Sequence, residues 1–285
     1  MSIKRVLVIG PGQMGAGIAQ VIAQSGINVV LQGYDMNDAK NGLARITKTL
    51  AKGVARGKMT EENKEKALKN ITIVGEWNEA NCDVDLAIEA VPENKQLKEG
   101  IFKKLDELCP AHTILATNTS SLAVVALGAI TKRPEKVIGM HFFSPVHIMK
   151  LVEVIVSLAT NEETISTIMK LATDIGKTPV KMNDYPGFVG NRIMIPMLNE
   201  AIFTLYEGVA DKETIDDVAK IGFNHPIGPL RLCDAIGNDT VLAIMEVLYE
   251  GFGDSKYRPC PLLRKMVEAG YLGKKSGRGF YNDYK

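Results

Sequence analysis

Arg5-Val6-Leu7-Val8-Ile9-Gly10-Pro11-Gly12-Gln13-Met14-Gly15 decides the fold. Residues 5–9 are a continuous apolar run, the pattern of a strand buried on both faces. The next six residues spell G-x-G-x-x-G, and Ala16 to Ser25 reads as a helix with Ile18, Val21 and Ile22 on one face. A lone match to this motif is weak. One that follows a strand, opens a helix and sits in a unit whose second strand (Ile27 to Leu31) ends near residue 32 is a dinucleotide-binding fingerprint. Gly10 permits the tight turn, Gly12 lets the backbone approach a pyrophosphate, and Gly15 lets the helix pack on the strand. Gln13 and Met14 complete the phosphate-facing turn, where the helix N-terminus offers N–H donors and the positive end of its dipole. The bland alternative is a glycine-rich strand–helix turn with no ligand.

Working outward, Asp85 to Glu89, Thr113 to Ala116 and Lys136 to Met140 read as further strands alternating with helical patterns, which implies βαβ units and a parallel sheet. A long helical insertion, about Ala39 to Lys69, breaks near Gly57 and reopens at Thr60-Glu61-Glu62, a capping signal. After Asn183-Asp184-Tyr185-Pro186-Gly187 the character changes to helices: Phe188 to Glu207, Asp211 to Lys220, Asp239 to Phe252 and Cys260 to Ala269, with Gly279-Phe280-Tyr281 the one strand candidate. We therefore expect an α/β, doubly wound Rossmann-type domain with a helical-hairpin insertion over residues 1–185, and an all-α domain over 186–285. The length of 285 residues agrees with two domains at roughly 150 residues each.

Lys+Arg is 34 against Asp+Glu 33, a net charge of +1, which gives no electrostatic case for nucleic acid or an anionic membrane as partner. The longest apolar stretch, Leu122 to Ile130, is far below the ~18 residues of a membrane span. The N-terminus runs straight into a strand, without a signal-peptide core. The four cysteines (Cys82, Cys109, Cys233, Cys260) form no C-x-x-C pair and none lies near a histidine at metal spacing. The expectation is a cytoplasmic chain with reduced thiols and no metal.

An NAD-preferring site wants an acid at the end of the second strand, to bind the ribose 2′-OH. Here that end falls at Gln32-Gly33, and the first acid is Asp35. Either Asp35 reaches the ribose across a bulged loop, or Gly33 leaves room for a 2′-phosphate, although no arginine is adjacent. NAD and NADP both stay open.

His141 ends the strand from Val137, at the carboxyl edge where open α/β sheets bind ligands. A dehydrogenase acting on an alcohol needs a group to take the hydroxyl proton. Histidine suits that near neutrality when a carboxylate orients it, and Glu153 stands in an alternating strand, Lys150 to Ile155, that would run alongside. A satisfied core histidine is the competing reading. Thr117-Asn118-Thr119-Ser120-Ser121 is a second strand-end cluster, suited to a nicotinamide carboxamide and a substrate oxygen, or to capping a helix through Ser120 or Ser121. Asn191-Arg192, inside the first helix of the second domain, would face the cleft where substrates commonly sit, or solvent. Lys48, Lys52 and Arg56 recur every four residues as a basic ridge, read as a clamp for a phosphorylated ligand such as coenzyme A or as a solvated face.

The whole set resembles the 3-hydroxyacyl-CoA dehydrogenases, most closely the short-chain bacterial 3-hydroxybutyryl-CoA branch. The resemblance covers nearly the whole chain. It rests on residues 8–18, Ile88 to Glu93, Thr117 to Leu122, Gly139 to Pro145, Lys150 to Val154, Pro186 to Arg192, Asn224 to Pro229 and Gly273 to Tyr281. It implies His141 as catalytic base with Glu153 its partner, Ser120 and Asn191 on the substrate's reacting oxygen, and Glu93, Lys98, Asn118 and Lys275 lining the cofactor. Lys52 and Arg56 would meet the coenzyme A phosphates, and the helical domain would form a homodimer. The implied reaction interconverts acetoacetyl-CoA and (S)-3-hydroxybutyryl-CoA in butyrate or fatty-acid metabolism, with NAD as cofactor and NADP as the alternative opened by Gly33. Departures from the family pattern are Gly33 for Asp, Ser144 for Asn, Gly190 for Val and Arg231 for Glu. A dehydrogenase of a free hydroxy or sugar acid on the same fold is the second reading, and a nucleotide-binding protein without turnover the third.

Overall fold

The computed structural model describes residues 2–284 and divides into two compact units, Met1–Asp184 and Tyr185–Lys285. The first is built on β1 (Arg5–Ile9), α1 (Gln13–Gln24), β2 (Asn28–Gln32), α2 (Met36–Ala55), α3 (Glu61–Lys69), β3 (Ile71–Val74), α4 (Glu79–Cys82), β4 (Leu86–Glu89), α5 (Lys95–Leu108), β5 (Ile114–Thr117), α6 (Val124–Ala129), β6 (Val137–Phe142), β7 (Leu151–Val156), α7 (Glu162–Asp174) and β8 (Thr178–Asn183). Among the described residues these eight strands form one sheet in the order β3-β2-β1-β4-β5-β6-β7-β8. All neighbours are parallel except β6 and β7, which run antiparallel.

The central strands are buried on both faces, as their unbroken apolar runs require: Val6, Leu86, Leu115 and Ile138 are each fully inaccessible. The sheet reverses direction of winding between β1 and β4, which opens a crevice at the carboxyl ends of those strands. The α2–α3 insertion is a helical hairpin whose second arm is capped by Thr60, its hydroxyl accepting from the Asn63 N–H.

Two strands lie outside the sequence expectation. β3 is only four residues long and follows directly on α3, so it offers no period to read. β8 is an edge strand, largely exposed and carrying Pro179, so it lacks the apolar run that marks its neighbours.

The second unit holds α8 (Gly190–Tyr206), α9 (Lys212–Gly222), α10 (Pro229–Ile236), α11 (Asn238–Phe252) and α12 (Pro261–Glu268) around Ile195, Leu198, Leu230, Met245 and Leu263. The expected strand at Gly279–Tyr281 is corrected. Only an isolated bridge between Gly273 and Arg278 forms, and the N–H groups of Phe280 and Tyr281 donate instead to the buried Asp234 carboxylate. No helix among the described residues is long and apolar enough to cross a membrane.

Candidate active site

The turn from β1 into α1 has the shape the glycines foretell. Gly10 sits at φ +92°, and a Cβ there would meet the Ala90 carbonyl oxygen at 2.8 Å. A Cβ on Gly15 would collide with the Gly10 carbonyl oxygen, whereas around Gly12 nothing lies within 4 Å. Gly12 is the N-cap of α1 and no side chain caps that helix. An open space beside uncapped N–H groups fits a dinucleotide's pyrophosphate, which would fill the one and accept from the other. Beside it, the Gln13 amide donates to Ser144 Oγ at 2.9 Å, while Met14 packs against the core.

At the end of β2 both candidate residues also shape the turn. Asp35 is the N-cap of α2, one carboxylate oxygen accepting from the Asp38 N–H at 2.8 Å. At Gly33 the backbone is tightly packed on the Cβ side. A Cβ there would run into the backbone of Ala39 and would lie 2.7 Å from the Asp35 carbonyl oxygen, so the missing side chain closes the turn onto itself.

At the carboxyl ends of β4 and β5 lies a network built on Glu89, which the sequence reading took only as the last residue of a strand. Glu89 is fully buried. Its carboxylate accepts from Lys98 Nζ at 2.8 and 2.9 Å, from Thr117 Oγ1 at 2.8 Å and from the Val91 N–H at 2.6 Å. Lys98, itself 1% exposed, also lies 3.1 Å from Glu93 Oε2. Glu93 Oε1 accepts from the N–H groups of Ser120 and Ser121, both at 3.0 Å, and from the hydroxyls of Thr119 and Ser121. Burial alone would raise Glu93, but the Lys98 charge and the two hydroxyls more than offset it and hold its carboxyl below the usual range. Glu93, Lys98 and the Ser120 backbone are thus brought together. The capping reading for Ser120 and Ser121 is overturned. α6 begins later, at Val124, and its Val125 N–H donates to Asp184. The Leu122 N–H donates instead to Thr119 Oγ1.

Asn118 ties this loop to the next strand, accepting from the Phe142 N–H at 2.9 Å. One residue earlier stands His141. The antiparallel ladder sets His141 directly opposite Glu153, so both side chains leave the same face of the sheet. Their Nδ1···Oε2 distance is 2.7 Å, with His141 7% and Glu153 1% exposed. A histidine held through Nδ1 by a buried carboxylate is fixed in orientation, and its charged form has a counter-ion at hand.

Lys48 and Lys52 line a cavity of about 350 Å³ with Gln13, Thr49, Val146 and Arg45. Arg45 was not singled out from the sequence, although it lies three residues before Lys48 and seven before Lys52, on the same helix face. Arg56 is the C-cap of α2, one turn beyond. In the second unit, Asn191 is the second residue of α8 and is buried. Lys275 pairs with Asp239 of α11.

A cradle for a dinucleotide and an oriented histidine–carboxylate pair on one sheet is the equipment of a dehydrogenase, and comparison with known proteins gives the family. Residues 5–185 match the NAD-binding domain of 3-hydroxyacyl-CoA dehydrogenase and residues 187–283 its C-terminal domain. The chain belongs to the 3-hydroxyacyl-CoA dehydrogenase family. It is similar to a probable 3-hydroxybutyryl-CoA dehydrogenase of Bacillus subtilis, 56% identical over 99% of this chain and 98% of the relative. It is likewise similar to a 3-hydroxybutyryl-CoA dehydrogenase of Clostridioides difficile, 49% identical over 98% and 99% of the two chains. Among solved structures, the (S)-3-hydroxybutyryl-CoA dehydrogenase of Ralstonia eutropha superposes with a TM-score of 0.96 at 46% identity, covering 98% of this chain and 99% of that one. As a 3-hydroxyacyl-CoA dehydrogenase the chain is an oxidoreductase, and its N-terminal unit is the NAD-binding one.

Proposed function

We propose that this 3-hydroxyacyl-CoA dehydrogenase interconverts acetoacetyl-CoA and (S)-3-hydroxybutyryl-CoA. The observation that carries the proposal is the His141–Glu153 pair at 2.7 Å, at the carboxyl edge of the sheet whose crevice holds the dinucleotide cradle. The nicotinamide ring, when bound, supplies or accepts the hydride. His141 exchanges the proton with the substrate's C3 oxygen at Nε2, because Nδ1 is engaged by Glu153. Glu153 stabilises the imidazolium that forms on taking the alcohol proton. Ser120 and Asn191 are assigned the reacting oxygen on the family pattern, as donors to the charge that develops there. Gly10, Gly12, Gln13, Met14 and Gly15 form the turn under the pyrophosphate, and Glu93, Asn118 and Lys275 are assigned to the rest of the cofactor on the family pattern, with the buried Lys98 holding Glu93 in place. Lys52 and Arg56, with Lys48 and Arg45, take the coenzyme A phosphates.

NAD is the proposed cofactor and NADP the alternative. β2 ends without an acid for the 2′-OH, and Asp35 is engaged in capping, so the usual determinant of that choice is missing.

The test is the absorbance of the reduced cofactor with acetoacetyl-CoA, run with NADH and NADPH side by side and repeated with a free 3-oxo acid. Oxidation of NADH with the thioester alone is expected. In the doubly reversed variant Lys52→Glu/Arg56→Glu, KM for the thioester should rise roughly ten-fold or more, as expected for losing two phosphate contacts, with any rate on a free acid unchanged. Equal turnover of the free acid by the wild type would favour the second reading.

The second unit exposes Ile193, Val218, Ile221 and Phe223, with Ile221 83% accessible. A second copy of the chain would cover such a set, and we propose a homodimer through this unit. Sedimentation velocity should give twice the chain mass for the wild type and the single-chain mass for Ile221→Glu/Phe223→Glu. A monomeric wild type would sink the dimer.

A further inference from the structure

The Glu89–Lys98–Glu93 network holds two carboxylates and one ammonium. Lys98 meets both oxygens of Glu89, and no other ion pair reaches Glu89 or Glu93 among the described residues. Its charge is answered by the fully buried partner. The excess negative charge falls on Glu93, whose side chain is 33% exposed at the carboxyl edge of the sheet. In a doubly wound sheet, the first nucleotide half lies over the strands on one side of the reversal and the second over those on the other. With the β1–α1 turn and β2 holding the adenosine side, the nicotinamide side falls to β4, β5 and β6, whose carboxyl ends carry Glu89, Glu93 and Ser120. The oxidised nicotinamide ring is a cation and the reduced ring is neutral.

We propose that Glu89 sets a preference between the redox forms of the cofactor. With Lys98 shared between two carboxylates, Glu89 leaves the network one net negative charge, carried at the part-exposed Glu93 on the ring side, so the oxidised form is held more tightly than the same site without that charge would hold it. This rests on the dinucleotide reading of the crevice. Its signature is a dependence on net charge rather than on hydrogen-bond count. In Glu89→Gln, Lys98 is left to Glu93 and the network becomes neutral. In Glu89→Gln/Lys98→Met the excess negative charge returns, although still more hydrogen bonds are gone. Replacing both members of a buried pair by neutral groups of similar volume is commonly tolerated, whereas removing one is not.

The experiment measures Kd for NAD+ and for NADH by calorimetric titration, without acyl substrate, and takes the ratio of reduced to oxidised Kd. One unit charge acting over several ångströms in a partly screened medium is worth about ten-fold. Glu89→Gln and Glu93→Gln should each lower the ratio by about that factor, and the double variant should return to within about two-fold of wild type. A ratio that falls further in the double variant than in Glu89→Gln, or that stays put in Glu93→Gln, overturns the proposal. If Glu89→Gln does not fold, the part-exposed Glu93→Gln and the double variant decide it. A wild type that binds neither form removes the dinucleotide reading itself, whereas one that binds both with a ratio indifferent to charge removes only this inference.

Discussion

His141→Gln should lose about 10²–10⁴-fold in kcat, the range for removing a positioned proton-transfer group, while cofactor Kd stays within about two-fold. The split follows from where things sit. The pyrophosphate cradle is made by the β1–α1 turn, whereas His141 is the next-to-last residue of β6 and is paired across the ladder with Glu153. Glutamine keeps a polar side chain in a nearly buried place but cannot accept and return a proton near neutral pH. Glu153→Gln should also slow turnover, because the amide cannot stabilise the imidazolium. Steady-state rates and a titration of NADH fluorescence separate the two quantities. Loss of cofactor affinity in step with kcat would show that His141 acts only in packing.

The largest stability effect is expected at Asp234→Ala, about 3–5 kcal/mol. Asp234 is fully buried, and its carboxylate accepts from the N–H groups of Phe280 and Tyr281, both at 2.9 Å, from the Tyr284 hydroxyl at 2.9 Å and from the Asn238 amide at 3.1 Å. Alanine would leave the Phe280 and Tyr281 N–H groups and the Tyr284 hydroxyl without this acceptor, and Asn238 with only the Tyr271 carbonyl. The neighbouring glycines are cut to the same shape: a Cβ on Gly279 would strike the Asp234 carboxylate, and one on Gly273 its backbone. Arg231, one of the departures from the family pattern, belongs to this anchor. Its guanidinium lies 3.5 Å from the Tyr281 ring centroid and pairs with Asp283. Thermal unfolding should therefore begin about 10 °C or more lower, with early proteolysis after Gly277. A midpoint within about 2 °C of wild type would mean that the tail is held by something else.

The central strands were legible because burial on both faces leaves an apolar run with no interruption, and the β1–α1 turn because three glycines at fixed spacing have few other uses. The edge strands β3 and β8 were not: β3 is too short to show a period, and exposure removes from β8 the run that marks a strand. His141 and Glu153 were legible as candidates, but their pairing depends on a register that the eleven intervening residues do not spell out. Glu89 escaped because a buried acid at the end of an apolar run carries no local mark. Its partners lie nine and twenty-eight residues away. Asp234 escaped in the same way, since its tail partners lie forty-six to fifty residues away. Asp35 reads two ways because an acid just past a strand serves equally as a ribose ligand and as a helix cap, and the backbone of α2 shows the second role.

β7 is pinned twice, by antiparallel pairing to β6 and by parallel pairing to β8 over Leu151 to Val156. Sliding it by one residue would turn Glu153 to the opposite face, and both ladders would have to break together for that to happen. The connection over residues 143–150 therefore has no part in setting the distance between the two reacting side chains. Its exposed residues, such as Ile148, can be exchanged to reshape what the enzyme accepts while the proton-transfer pair keeps its alignment.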